Sequence, residues 1–278
     1  MASAGCLYVV ATPIGHLDDM SPRAVDTLRS VDVVAAEDTR HSGRLLAHFG
    51  IDTPMVSLHD HNEDSRSDQL VARMEQGDSV ALISDAGTPL ISDPGYTLLK
   101  KVRERQITVS PVPGASAVIS ALCVAGLPTD RFVFEGFLPA KSVARVQRLE
   151  GLKQESRTMV FYVSRHQATK QLSDCLEVFG AERSATLARE LTKMHETISH
   201  GSLEELVVFW DQNPEQHKGE LVLVVAGAPE ATTDSSGLDA LLTVLLEELR
   251  PKQAAKLAVK LTGCSRNEAY RAALALKA

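Results

Sequence analysis

At 278 residues, with 44% apolar and 23% charged side chains, the chain has the composition of a folded protein with room for two cores, which excludes a disordered or fibrous polymer. No apolar run approaches the roughly 20 residues that span a bilayer, and MASAGCLYVV lacks the basic start and cleavage site of a secretory leader, so a cytoplasmic protein without membrane contact is expected. A formal charge of −7 gives nucleic acid no global attraction, so such a partner must be held by local basic surface.

In chain order, residues 7–11 read as a strand, a helix starts at Ser21 and Pro22, and 31–36 read as a second strand. Helices follow after His41 and over 64–76, then a strand at 80–84, a helix at 96–105, a strand at 107–112 and an apolar helix at 117–126. Strands alternating with helices predict an α/β domain with a largely parallel sheet over 1–117. RFVFEGF, TMVFYVS, ATLAREL, HETISHG and GELVLVVAG then read as strands of a second α/β domain over 118–230, more antiparallel because some connections are short. Gly227, Ala228 and Pro229 with the polar ATTDSSG read as a linker, and 231–278 as a small helical tail. Cys6, Cys123, Cys175 and Cys264 lack zinc-site or disulfide spacing and read as buried thiols.

Basic residues cluster twice. Lys141, Arg145, Arg148, Lys153 and Arg157 stand against Glu150 and Glu155; the tail carries Arg250, Lys252, Lys256, Lys260, Arg266, Arg271 and Lys277 against Glu268 alone. From charge alone either is a solvated helix face.

Loops after three strands carry chemistry: ATPIGHLDDMS at 11–21, SDAGTPLISDPG at 84–95 and PVPGASA at 111–117. Their small residues let the backbone approach a ligand. The chain has no GxxxxGK[ST] and no GxGxxG, and these loops have no lysine or arginine, yet they supply Asp18, Asp19, Asp85 and Asp93. Acceptors without cations suit ribose hydroxyls or a cationic ligand such as S-adenosylmethionine better than a pyrophosphate. Magnesium and helix capping are the competing readings, and Asp93, before Pro94 and Gly95, reads as a cap.

TPIGHL, AAEDTRHSG, LHDHNE, SDAGTPLISDPG, PVPGASA, GFLPAKS, LARELTKMHET and KGELVLVV fall in order over most of the chain. Together they resemble the ribosomal RNA small subunit methyltransferase I family of the tetrapyrrole methylase superfamily. The resemblance implies two α/β domains closing a cleft over S-adenosylmethionine, and a homodimer. It implies as substrate the 2′-hydroxyl of a cytidine in the decoding region of 16S ribosomal RNA, free or in the 30S subunit. The last residues, 251–276, resemble the helix-turn-helix-like tail of this family. The cofactor role is carried to Thr12, Pro13, Ile14 and Gly15, to Asp85, Ala86 and Gly87, and to Pro113, Gly114, Ala115 and Ser116, with second-domain contacts near Tyr162, Leu187 and Ala188. Lys141, Arg145 and Arg148, with Lys252, Lys256, Lys260 and Arg266, become expected RNA contacts. No metal is implied.

Methyl transfer to a hydroxyl needs an aligned acceptor and a proton acceptor. Glu37, Asp38, His59, Asp60, His61, Glu190 and Lys193 are eligible. His59 is the preferred base or its positioner, with His61 facing the same side; ordering of the loop is the alternative. Arg40 has two readings, an RNA phosphate contact or a pair with Glu37. The chain departs from the family pattern at His16 for asparagine, Ala115 for proline, and Val163 and Gln167 for a glutamate and an arginine. The latter pair keeps a catalytically silent RNA-binding or assembly protein open as an alternative, beside a methylase of small tetrapyrroles.

Overall fold

The computed structural model describes residues 5–229 and 235–277. Five parallel strands, β1 (Cys6–Val10), β2 (Val33–Ala36), β3 (Met55–Ser57), β4 (Val80–Ile83) and β5 (Thr108–Val112), form the first sheet in the order β3-β2-β4-β1-β5. The helices between them are α1 (Pro22–Ser30), α2 (Thr39–His48), α3 (Glu63–Glu75) and α4 (Tyr96–Glu104). The interior strands VVAA and VALI are buried at every residue, as a parallel sheet covered on both faces requires. One core cluster joins Leu7, Leu82 and Leu98, another Val10, Leu28 and Leu46. Ser21 starts α1 as expected, its side chain accepting from Ala24 N. The sequence reading misses β3, and α2 begins at Thr39 rather than after His41 because Asp38 caps it.

α5 (Ala117–Val124) leaves the first sheet and packs on the second, which comprises β6 (Phe132–Phe137), β7 (Thr158–Val163), β8 (Ser184–Arg189), β9 (Thr197–Ser202) and β10 (Leu221–Val225). The order is β6-β7-β10-β8-β9; β6 runs parallel to β7 and the remaining pairs are antiparallel, the mixed pattern expected. α6 (Ser142–Leu152), α7 (Ala168–Phe179) and α8 (Leu203–Gln212) supply the other helices of this half.

The chain divides into compact units at Met1–Gly227 and Ala228–Ala278. Ile14, from the loop after β1, shares a core with Val118, Val160, Ala188 and Val222, so the two sheets hold each other. The second unit contains α9 (Ser235–Glu248), α10 (Pro251–Thr262) and α11 (Arg266–Ala275) around Leu238, Leu242, Ala254, Ala258 and Ala269. Gly263, at φ 73°, ends α10, and Ser265 starts α11 by accepting from Glu268 N. Part of the expected linker lies outside the described residues, and Ser235–Gly237 already belong to α9. Cys175 and Cys264 are buried, but Cys6 is half-buried and Cys123 lies exposed on the outer side of α5. No helix among the described residues is long and apolar enough to cross a membrane.

Candidate functional site

Because the first sheet is parallel, the loops after β1, β2, β4 and β5 leave one edge, where α/β folds gather ligands. A cavity of about 740 Å³ opens there between this edge and the second sheet. Of the residues expected to hold a cofactor, Ile14, Asp85, Ala86, Gly87, Ser116, Tyr162 and Ala188 line it. Thr12, Pro13, Gly15, Pro113, Gly114 and Ala115 do not line it, and several of them shape the loops that do. Thr12 and Gly87 exchange both backbone hydrogen bonds, at 2.8 and 3.1 Å, and the Thr12 hydroxyl donates to the Ser84 carbonyl. Gly87 has φ 82°, and a Cβ there would meet Ile14 Cγ2 at 3.2 Å. Thr88 Oγ1 donates to the Ala115 carbonyl, tying two of the loops, while Gly114 lies against Ala11. Leu187 belongs instead to the core beneath α7 and α8, because neighbouring strand residues point to opposite faces.

The wall of the cavity formed by the first sheet is anionic. Glu37, Asp85 and Asp93 reach it from the ends of β2 and β4. Burial raises the Asp93 carboxyl to about 6, with Asp85 adding to the rise and the Ser84 hydroxyl opposing it. Glu37 is raised by burial and then by Asp85 and Asp93. Asp85 accepts from Asp38 N at 3.1 Å. Opposite, burial pushes the Tyr162 hydroxyl up to about 12, with Asp93 and Glu220 contributing. Asp93 is therefore no cap: Gly95 occupies that position, and Glu63, from α3, accepts from Gly95 N and Thr97 N at 2.9 and 2.8 Å. Local sequence cannot reveal a cap that comes from another helix. Among the described residues, no three His, Cys, Asp or Glu side chains form a group that could hold a metal ion.

Two strained loops border the cavity. Among the described non-glycine residues with positive φ are Leu90 and Ser92 in one, and Glu190 and Thr192 in the other. Such conformations persist only where the surroundings over-determine them, and they concentrate at functional sites. Thr192 Oγ1 accepts from His16 N, and a Cβ on Gly15 would strike Lys193 Cγ at 2.5 Å and Thr192 Oγ1 at 2.7 Å, so the two halves meet here without space for a side chain. Lys193 faces the cavity and bridges Glu190 and Glu220 at 3.0 and 3.1 Å. Burial opposes its charge, but both carboxylates raise it on balance. Glu190 is held low despite its burial by the Glu220 N–H and Lys193.

His59, His61 and Arg40 do not line the cavity. His59 and His61 stack edge to face at 6.0 Å after β3, and His59 Nδ1 is buried without a partner. Arg40 pairs with Asp38, at 3.2 and 2.9 Å, rather than with Glu37. Arg145 is 1% exposed, bound to Asp174 at 2.5 Å and to the Pro139 and Ala140 carbonyls; a buried guanidinium committed to these acceptors cannot serve an RNA phosphate. Arg148 is half-exposed but chelates Glu135. Lys141, Lys252, Lys256, Lys260 and Arg266 are exposed, and the three lysines of α10 recur every fourth residue on one helical face.

The departures from the family pattern find physical places. His16 Nδ1 accepts from Asp18 N, the capping role an asparagine side chain performs. Val163 is buried where β7 meets the cavity, and Gln167 leaves its Oε1 buried without a partner. Ile91, Phe137, Arg165 and His166 also line the cavity, and the sequence reading names none of them as site residues.

Residues 6–207 match the Tetrapyrrole (Corrin/Porphyrin) Methylases, and residues 232–277 match the RsmI C-terminal HTH domain. Ribosomal RNA small subunit methyltransferase I of Pseudomonas aeruginosa is 52% identical over 276 residues, covering 98% of each chain. Its namesake from Haemophilus influenzae is 49% identical, over 98% of this chain and 97% of its own. Among solved structures, cobalt precorrin-4 methyltransferase aligns with a TM-score of 0.61 at 16% identity, over 80% of this chain and 94% of its own. Diphthine synthase gives 0.60 at 16%, over 80% and 90%; likeness at this identity concerns the fold. The chain belongs to the ribosomal RNA small subunit methyltransferase I family, within the tetrapyrrole methylases.

Proposed function

We propose that this protein transfers a methyl group from S-adenosylmethionine to the 2′-hydroxyl of a cytidine in the decoding region of small-subunit ribosomal RNA. The observation that carries the reading is near-full-length identity of about half to relatives named for ribosomal RNA methylation, extending into the helix-turn-helix tail. The cavity fits the cofactor chemically: carboxylates and loop carbonyls accept from ribose and ammonium, and oppose a sulfonium charge, while its volume lies in the small-molecule range. When bound, the cofactor supplies an electrophilic methyl group on sulfur.

This chain's residues do the rest. The 11–15, 84–88 and 113–116 loops bind and orient the donor. Asp93 takes the proton from the attacking hydroxyl, since a carboxyl near 6 is ionised at neutral pH yet basic enough to accept. His59, His61 and Arg40, at the ends of β3 and β2, order the neighbouring surface over which the RNA leaves. Lys141 and the basic face of the tail meet phosphates. The protein acts as a homodimer, for which the exposed Ile119 and Val124 of α5 offer apolar surface.

Incubation with labelled S-adenosylmethionine and small subunits lacking the modification tests this reading. Label in the RNA supports it. Label passing to tetrapyrroles alone, or cofactor binding with no transfer, favours the small-molecule or the silent alternative, the latter in keeping with Val163 and the unpartnered Gln167.

A further inference from the structure

Phe137 is 58% exposed at the cavity mouth, although a large aromatic residue at the end of a strand is ordinarily covered. A β-bulge puts it there. Val133 and Phe134 pair with Met159 and Val160, but Gly136, at φ 64°, pairs with Phe161 and Phe137 with Tyr162, so Glu135 is the extra residue. In unbroken register Phe137 would stand opposite Val163, whose side chain lies in the core covered by α7 and α8. A shift of one residue reverses the face of everything beyond it. The bulge thus moves Phe137 out of that core and onto the cavity face beside Tyr162. Bulges re-aim side chains in this way next to active sites.

The ring is held in place. Tyr162 contacts Phe134 at 5.0 Å and Phe137 at 5.3 Å between centroids, and Gly136 is so close to the strained loop that a Cβ would lie 3.3 Å from Ser92 Oγ. The extruded Glu135 is buried on Arg148, which fixes the bulge. The opposite wall, with Glu37, Asp85 and Asp93, repels phosphate. Of a nucleotide, the parts that suit this wall are therefore the uncharged ring and the ribose, with the phosphates kept away from it.

Resting on the ribosomal RNA reading above, we infer that Phe137 is the stacking platform for the unstacked base of the acceptor nucleotide, an aromatic subsite that positions the ribose hydroxyl in the cavity. Single-stranded bases are commonly held on such aromatic faces, and enzymes acting on them draw the nucleotide out of its stack.

The test compares wild type, F137A, F137L and F137W for KM on small subunits and for S-adenosylmethionine affinity by calorimetry. F137A and F137L should raise the subunit KM about tenfold or more, with cofactor affinity within twofold of wild type, and F137W should retain wild-type KM. Because the one native tryptophan, Trp210, is buried, fluorescence of the F137W protein should also be quenched by a short cytidine-containing RNA. An unchanged subunit KM in F137A, beside a wild type that methylates subunits, would overturn the platform alone. A parallel loss of cofactor affinity would assign the ring to the cofactor and equally overturn it. A wild type that transfers nothing to subunits would overturn the parent reading and the platform with it.

Discussion

Replacing Asp93 with asparagine separates a catalytic carboxylate from a helix cap, because the two roles predict stability changes of opposite sign. The Asp93 carboxyl rises from 3.8 to about 6 on folding, chiefly through burial. A group raised in the folded state favours its protonated form there, so its ionisation costs stability as pH climbs through 4 to 6 and beyond. The shift corresponds to about 3 kcal/mol at 1.36 kcal/mol per unit, which partial exposure reduces to roughly 1–2 kcal/mol. Asp93→Asn should therefore stabilise the protein by about that amount at pH 7.5, with the advantage vanishing near pH 4. Loss of a cap would instead cost about 1 kcal/mol. Activity should move the other way: kcat should fall about 10²- to 10⁴-fold while cofactor affinity holds. With an apparent value of about 6, the wild type should lose roughly tenfold in kcat/KM between pH 7.5 and pH 5, and the variant should lack this acid limb. Thermal unfolding across pH, with kinetics on small subunits, reads all three. A destabilised, active variant that keeps the acid limb would show that Asp93 is not the base.

Arg145→Ala should cost about 3–5 kcal/mol in urea unfolding, since it strands Asp174 beside two carbonyls already committed to the guanidinium, and it should leave the salt dependence of RNA binding unchanged. Gly87→Ala forces a left-handed backbone and presses on Ile14, so calorimetry should show cofactor affinity at least tenfold weaker while the fold survives. Lys256→Glu combined with Lys260→Glu should weaken subunit binding and flatten its salt slope by about 2, with single-turnover kcat at saturating subunit unchanged.

Much of the first sheet is legible because its interior strands are short unbroken apolar runs and Ser21 with Pro22 punctuates the next helix. β3 escapes because Met55–Ser57 is too short to show a period and follows Pro54. The loops at the strand ends were readable as a ligand cleft from what they lack, lysine and arginine, as much as from their glycines. Local sequence is a poor guide where a side chain's fate is decided far along the chain. Asp93 has the local grammar of a cap, yet Glu63 does the capping; Arg145 sits in a basic run, yet Asp174 on α7 holds it inside. Gly136 within an apolar strand pattern was a readable bulge signal, and following it would have brought Phe137 to the cavity. His59 has the chemistry of a base, but β3 lies at the sheet edge, two strands from β4.

The destination of the methyl group is the decisive observable. Small subunits lacking the modification, treated with the wild-type protein and isotopically labelled S-adenosylmethionine, should yield on nuclease digestion and mass spectrometry one labelled nucleoside, a 2′-O-methylated cytidine from the decoding region. Label on a base, on another nucleoside, or no label in RNA while the cofactor binds would exclude ribose methylation of that cytidine by this protein.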